Sequence, residues 1–350
     1  MDLQYGECGT AQQNEHLASI QKKCLIQQKN IEINKVRTVR IPKERIVMEQ
    51  ACRIYSVHCL SPLHVGSGEG VGVIDLPIMR EKVTEWPFIP GSSMKGAQRD
   101  HYTAIRKSDA WLELAFGKSE SKEALAGALV VSDAKILAFP VASRYGIFAY
   151  VTCPSVISRF SRDAAAAGKG GAKIPGLAEL LKLQPQESQA YTCKGSSVVS
   201  EDKLIYLDEF EGDAVSNDSL DLWAEWAADR IFKTDETDNS KQEVVVFKQR
   251  LVLVSDDTFQ YFVTLCCEVA PRIRILPETK TTQDGAFWYE EYVPTEAIFY
   301  GIVWSDRVSG SSDLTARKDL LKALDERQIL QIGGNATTGK GRVSCRFWEV

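Results

Sequence analysis

The sequence holds only four histidines, no Cys-x-x-Cys pair and no long apolar run. Its longest apolar stretches, residues 128–131 and 147–151, fall far short of the roughly 20 residues that a spanning helix needs. No basic-then-apolar leader opens the chain, so cytoplasmic residence without a membrane partner is the expectation. Nine cysteines are scattered, with only Cys266 and Cys267 adjacent. That spacing suits neither a disulfide framework nor a structural zinc site, and reads as thiols of a reducing compartment. The formal net charge of −5 excludes indiscriminate nucleic-acid binding by bulk charge. It leaves open RNA held in a local basic groove.

Two glycine-rich loops come close to cofactor motifs and miss. In Gly66-Ser-Gly68-Glu-Gly70-Val-Gly72 the glycines alternate, so Val71 and Val73 stand where a dinucleotide fingerprint needs its third glycine. Near the C-terminus, Gly334-Asn-Ala-Thr-Thr-Gly339-Lys340-Gly341 has the spacing of a phosphate-binding loop, but Gly341 replaces the Ser or Thr that would hold Mg²⁺. Few residues follow it, too few for the helix such a loop opens onto. Both loops therefore argue against nucleotide cofactors and ATP hydrolysis. What they offer is closely approachable backbone N–H groups for the phosphates of another ligand.

With 44% apolar residues among 350, the chain can bury a large core. Residues 1–47 have a different texture: Gln and Asn give way to a run from Lys22 to Arg45 in which eight basic residues face Glu32 and Glu44 alone. This extension reads as a basic, unfolded arm preceding a domain over 48–350. Within that domain, alternation predicts a half-buried strand over 53–60. A helix capped by Ser92 or Ser93 runs to about 107, with Met94, Ala97, His101 and Ile105 on one face, and a second helix spans 108–116. Strands follow over 129–139 and 146–152. Residues 155–242 read as a helical insertion whose Trp223 and Trp226 belong to the core. Strands over 243–254 and 259–268 precede a long hairpin over 271–294. A strand (297–304), a helix (312–327) and a last strand complete an α+β order, with an antiparallel sheet and helices on one side. The closest pattern is a ferredoxin-like or RNA-recognition-type core with long insertions.

Several residues could carry chemistry. His64 sits on a loop among glycines and a proline, where it is either structural or exposed for function. Asp75 interrupts the apolar Val-Ile-Asp-Leu-Pro run and either caps a turn ahead of Pro77 or is displayed as a proton acceptor or metal ligand. Glu290, Glu291 and Tyr292 could add a second acid, or be a solvated face. Lys95 and Arg99, one turn apart at a helix start, would clamp a phosphate together with the helix N-terminus. Lys340 and Arg342 would supply charge beside the second glycine loop.

Five segments together resemble the repeated backbone RAMP subunits of type III-B (Cmr) CRISPR effector complexes. They are Leu-Ser-Pro-Leu-His64-Val-Gly-Ser-Gly, Gly-Val-Ile-Asp75-Leu-Pro-Ile, Phe-Ile-Pro-Gly-Ser92-Ser-Met-Lys95-Gly, Trp-Tyr-Glu290-Glu-Tyr292-Val-Pro and Gln-Ile-Gly333-Gly-Asn-Ala-Thr-Thr-Gly-Lys340-Gly. The resemblance runs in order from about residue 48 to 350. It implies a ferredoxin-like palm with a thumb hairpin, copies stacking along a CRISPR guide RNA beside other Cmr subunits, and cleavage of single-stranded target RNA at regular intervals. It implies a divalent metal ion, Mg²⁺ or Mn²⁺, at Asp75 as principal catalytic residue, with His64 auxiliary and Glu290 and Tyr292 weaker candidates supplied by an adjacent copy. Guide contacts would fall on Ser92, Ser93, Lys95 and Arg99, on the hairpin residues Arg272, Arg274 and Lys280, and on Gly333, Gly334, Asn335, Thr338, Gly339, Lys340 and Arg342.

Overall fold

The computed structural model describes residues 51–349, apart from 71, 106, 119–124, 169–173, 233–237, 277, 306–313 and 326; the basic arm of residues 1–47 lies outside the described residues. In chain order the described elements are β1 (Ala51–Cys59), β2 (Phe88–Ile89), α1 (Gly91–Ala104), α2 (Asp109–Phe116), β3 (Gly117–Lys118), β4 (Leu125–Ala126), β5 (Leu129–Val131), β6 (Ala134–Ala142) and β7 (Phe148–Thr152). There follow α3 (Pro154–Ala167), α4 (Leu177–Leu180), β8 (Gln189–Thr192), β9 (Leu204–Leu207), β10 (Phe210–Ser216), α5 (Asp218–Phe232), α6 (Asp238–Arg250), β11 (Leu251–Leu253) and α7 (Asp256–Leu265). The chain closes with β12 (Glu268–Ile275), β13 (Thr282–Tyr292), β14 (Ile298–Ser305), α8 (Leu314–Lys322), β15 (Arg327–Gln331) and β16 (Arg342–Trp348).

Among the described residues one mixed sheet runs β15-β16-β1-β14-β6-β7-β11-β8-β10-β9, with β5 added to β14 and β2 to β6. Its centre is antiparallel: β1 lies between β14 and β16, and β14 also pairs with β5 and β6. Contrary to a half-buried strand, β1 is covered on both faces. Side chains of alternate residues leave a strand in opposite directions. Arg53 reaches the Leu321 and Leu324 carbonyls beside α8, and the Tyr55 ring fills the space over Gly301, where a Cβ would come within 2.4 Å of it. On the other face His58 meets Phe232 of α5 edge-on, and Tyr300 of β14 meets Phe160 of α3. Helices thus cover both sides of the sheet, not one. The polar residues of β1 mislead the alternation because they are buried with partners, the Arg53 guanidinium on three carbonyls and His58 on Glu296.

Four other expectations are corrected. Residues 243–254 and 259–268 are mainly helix: α6 places Phe247 against Tyr150 and Phe232, and α7 is capped by Ser255, which accepts from Thr258 N, with Phe259, Phe262 and Val263 buried at helical spacing. The valine run in α6 raised strand propensity, and packing on α5 overrode it. The insertion is not purely helical, because β8, β9 and β10 within it extend the sheet. In α1 the buried face is Gly91, Met94, Gln98 and Tyr102, one position off the predicted stripe, and Ile105 is exposed. No serine caps α1; Asp133 accepts the Gly91 N–H instead, at 2.7 Å. Trp223 is fully buried and Trp226 packs on the core, as the sequence indicates.

Candidate active site

Two adjacent acids on β13 organise the site. Strand alternation sends Glu290 and Glu291 to opposite faces, and both are buried, at 5% and 4% exposure, so the pair is no solvated face. Glu290 Oε2 accepts from Arg272 Nε at 3.0 Å, from Asn335 Nδ2 at 3.0 Å and from the Tyr292 hydroxyl, while Oε1 accepts from Trp288 Nε1 at 2.9 Å. Arg272 and Asn335 also donate to the Tyr292 oxygen, at 2.7 and 2.9 Å. The His64 ring centroid lies 5.5 Å from that of Tyr292, and Lys340 Nζ lies 4.9 Å from the latter. His64, Arg272, Glu290, Tyr292, Asn335 and Lys340, distant in sequence, therefore meet. Burial pushes the Glu290 carboxyl up, but the hydrogen bonds from Tyr292, Trp288 and Arg272 outweigh it and hold the group below the ordinary carboxylate value. Burial and the Glu290 contact raise the Tyr292 phenol.

His64 is 8% exposed and joins its own loop to β13 and to the C-terminal glycine loop. Its Nδ1 donates to the Glu291 carbonyl at 2.7 Å, and its own carbonyl accepts from Gly334 N at 2.9 Å. Gly66 lies against Nε2, where a Cβ would sit 2.8 Å away. Gly333, at φ +74°, lets the C-terminal loop approach the His64 carbonyl, which a Cβ would meet at 2.1 Å.

Asp75 stands apart from that cluster. The loop bearing it is laid along β13: Leu76 N donates to the Tyr289 carbonyl at 3.0 Å and Glu291 N to the Leu76 carbonyl at 3.0 Å. Asp75 is exposed, and its Oδ2 accepts the Tyr289 N–H at 2.8 Å. Beyond it, Glu291 Oε2 accepts from Ile78 N at 3.0 Å and Oε1 from the Arg80 guanidinium at 2.6 Å. Among the described residues no three His, Cys, Asp or Glu side chains come together as a metal cage. Asp75 alone fits an ion whose other ligands are water and substrate oxygens.

The phosphate-facing predictions divide. Ser92, Lys95 and Arg99 of α1, with Lys118 of β3 and Gly127, line an open groove of about 430 Å³. Lys95 Nζ donates to the Leu129 carbonyl at 2.7 Å, and burial lowers its pKa. The N-terminus of α1 itself already holds the Asp133 carboxylate, so cationic side chains, not the helix end, are what the groove offers an anion. Ser93 sits half-buried beside it. On the hairpin, Arg274 and Lys280 are exposed, whereas Arg272 turns inward to Glu290. In the second glycine loop the N–H groups of Gly334, Thr338, Gly339, Lys340, Gly341 and Arg342 have acceptors within the protein. Asn335 faces Glu290, which leaves Thr337, Thr338 and Arg342 as its exposed polar side chains. Sequence reasoning missed Arg80, Trp288 and Lys118. Of these, Trp288 was visible as the residue two before Glu290 on the same strand face.

Residues 56–344 match the family model of the RAMP superfamily; the chain belongs to that superfamily. It is 35% identical over 301 residues to the CRISPR system Cmr endoribonuclease Cmr4 of Pyrococcus furiosus, covering 85% of this chain and 96% of that protein. It is 24% identical to the CRISPR system CMR subunit Cmr4 of Saccharolobus solfataricus, over 84% and 95% of the two chains. The crystal structure of oligomeric Cmr4 from Pyrococcus furiosus superposes with a TM-score of 0.63 at 27% identity, over 85% of this chain and 98% of that one. A chain of the type III-B Cmr-beta complex bound to cognate target RNA shares the fold, with a TM-score of 0.64 at 22% identity over 85% and 96%. Within the superfamily the chain stands with the Cmr4 (Cas7) backbone subunits of type III-B CRISPR complexes.

Proposed function

We propose that this chain is a guide-RNA-binding backbone subunit that stacks with further copies of itself and other Cmr subunits, and cleaves guide-paired target RNA at regular intervals. The relative named as an endoribonuclease, the oligomeric crystal structure and the complex bound to target RNA support this reading. We read β16-β1-β14-β5/β6, with α1 following β1 and α8 following β14, as a ferredoxin-like palm, and the β12–β13 hairpin as its thumb. Guide phosphates would lie in the groove of Lys95, Arg99 and Lys118, where base pairing and not side chains would read sequence.

The observation that carries the catalytic reading is the exposed Asp75 carboxylate, with one oxygen fixed on the Tyr289 N–H. That bond orients the other oxygen without consuming it. Asp75 would accept the proton of a target 2′-hydroxyl as that oxygen attacks the neighbouring phosphorus; the P–O5′ bond breaks, the 5′-oxygen leaves as a hydroxyl with a proton from water, and a cyclic phosphate remains. A divalent ion, Mg²⁺ or Mn²⁺, held by Asp75 and RNA phosphates would supply charge stabilisation. His64, Glu290 and Tyr292 are tied to one another and to protein groups, which suits them to shaping the site's floor.

The same Tyr289 bond favours a second reading, in which Asp75 is only a turn residue of a non-catalytic guide-binding subunit. Asp75→Ala in the reconstituted complex with matched target RNA and Mg²⁺ decides between them. Intact assembly with loss of regularly spaced cuts supports the catalytic assignment; unchanged cutting supports the structural one.

A further inference from the structure

The loop that displays Asp75 closes on itself, with Ser67 N on the Pro77 carbonyl, Gly70 N on the Asp75 carbonyl and Met79 N on the Val65 carbonyl, bonds that shape it but do not set it on β13. It carries alternate glycines at 66, 68, 70 and 72, whose backbone freedom makes ordering expensive. The Gly66 to Ile78 bridge joins its two ends, and its β-contact with β13 is the isolated bridge of Leu76 to Glu290. Besides the Asp75 carboxylate on Tyr289 N, the side chain that fastens it to β13 is Glu291. One carboxylate oxygen takes the Ile78 N–H, three residues past Asp75, and the other takes Arg80. Arg80 is itself anchored, donating to the Val263 carbonyl at 2.9 Å, to the Glu85 carbonyl at 2.7 Å and to Cys267 Sγ at 3.2 Å. The side chains of Glu291 and Arg80 retain 5% and 18% exposure, so water does little to replace a lost partner.

Resting on the reading of Asp75 as the catalytic carboxylate, we propose that the Glu291–Arg80 ion pair is a positioning pair: it sets the Asp75 loop on β13 and so fixes where that carboxylate meets the 2′-hydroxyl. Glu290, one residue earlier, fastens the C-terminal glycine loop through Asn335. Neighbouring acids on opposite faces thus hold the two loops to one strand, and Glu291 serves the one that bears the chemistry. A carboxylate displaced by about 1 Å costs on the order of a hundredfold in rate without altering how substrate binds elsewhere.

The test uses the complex reconstituted with guide RNA and its partner subunits, purified as assembled particles, and single-turnover cleavage of matched target. Four variants are compared: Glu291→Gln, Arg80→Lys, Asp75→Ala and the double Asp75→Ala/Glu291→Gln. Glu291→Gln keeps an acceptor for Ile78 N but loses the charge, and Arg80→Lys keeps the charge but loses the guanidinium fork. Each is expected to cut about ten- to a hundredfold more slowly, with target Kd within about twofold of wild type. The double variant should cut no more slowly than Asp75→Ala. Wild-type cutting by Glu291→Gln or Arg80→Lys, beside an inactive Asp75→Ala, overturns the pair's role; a weakened target Kd that accounts for the loss overturns it too. Wild-type cutting by Asp75→Ala instead overturns the reading of Asp75 itself. Should Glu291→Gln fail to assemble, Arg80→Lys alone decides by the same criteria.

Discussion

Glu290→Gln replaces a buried carboxylate by an isostere of nearly the same shape, and the structure sets the size of the effect. Four donors converge on Glu290: Trp288 Nε1 on one oxygen, and Arg272, Asn335 and Tyr292 on the other. A glutamine must turn its NH₂ toward one of these two groups, so a donor faces a donor on whichever side it chooses. Hydrogen bonds to a charged group contribute about 1.5–3 kcal/mol each. The Arg272 side chain keeps 31% exposure, so water relieves its share. The net loss is then about 2–4 kcal/mol, a drop of roughly 5–10 °C in Tm at neutral pH for a chain of this size. The Glu290 carboxyl lies below its ordinary value of 4.5 in the folded protein. Its contribution is therefore fully present above that value and lost as pH falls through the lower, folded one. Scanning fluorimetry of wild type and variant from pH 8 to pH 3 should show the gap in Tm persisting down to about pH 5 and narrowing as pH falls below 4.5. A variant melting within about 1 °C of wild type at pH 7, or a gap indifferent to acid, would refute a buried, charge-bearing node.

Two further outcomes test the loops and the groove. Gly341→Ala places a side chain at φ +77°, with its Cβ 2.1 Å from the Ile332 carbonyl oxygen; denaturant titration should show a loss of more than about 1 kcal/mol, and an unchanged midpoint would contradict the tight turn. Lys95→Ala should weaken guide binding and reduce the slope of log K against log salt by about 0.7–1; an unaltered slope between low and moderate salt would remove Lys95 from the phosphate path.

The sequence carried the core strands, α1, α2 and the long hairpin, because turn residues and caps bracket them: Pro87 and Pro90 before α1, and Ser108, whose side chain accepts from Trp111 N at the start of α2. It misread 243–268 because Val244–Val246 suggested a strand, while the Ser255-Asp-Asp cap and the apolar residues at 259, 262 and 263 already had helical spacing. The residues of the site were legible as motifs, but their division was not. Which of Glu290 and Glu291 faces which loop depends on strand direction and register, and contacts between residues far apart in sequence, such as Asp75 Oδ2 to Tyr289 N and Leu76 N to the Tyr289 carbonyl, place that loop beside the hairpin. The inward turn of Arg272 and Asn335 was likewise invisible, since a basic or amide residue in a polar loop reads as exposed until a buried acid is found opposite it.

The central position of β1 has a consequence for how the molecule is made. Its partners are β14, beginning with Ala51 opposite Ser305, and β16, with Cys59 opposite Val343. A ribosome adding about 5–20 residues per second leaves this apolar strand waiting roughly 10–50 s for its first neighbour. During that interval both of its edges are open to any other extended chain. The nascent protein should therefore depend on a chaperone that shields the first strand. Ribosome-bound chains stalled before residue 298 should be readily cleaved by protease, and those stalled past β16 should resist it.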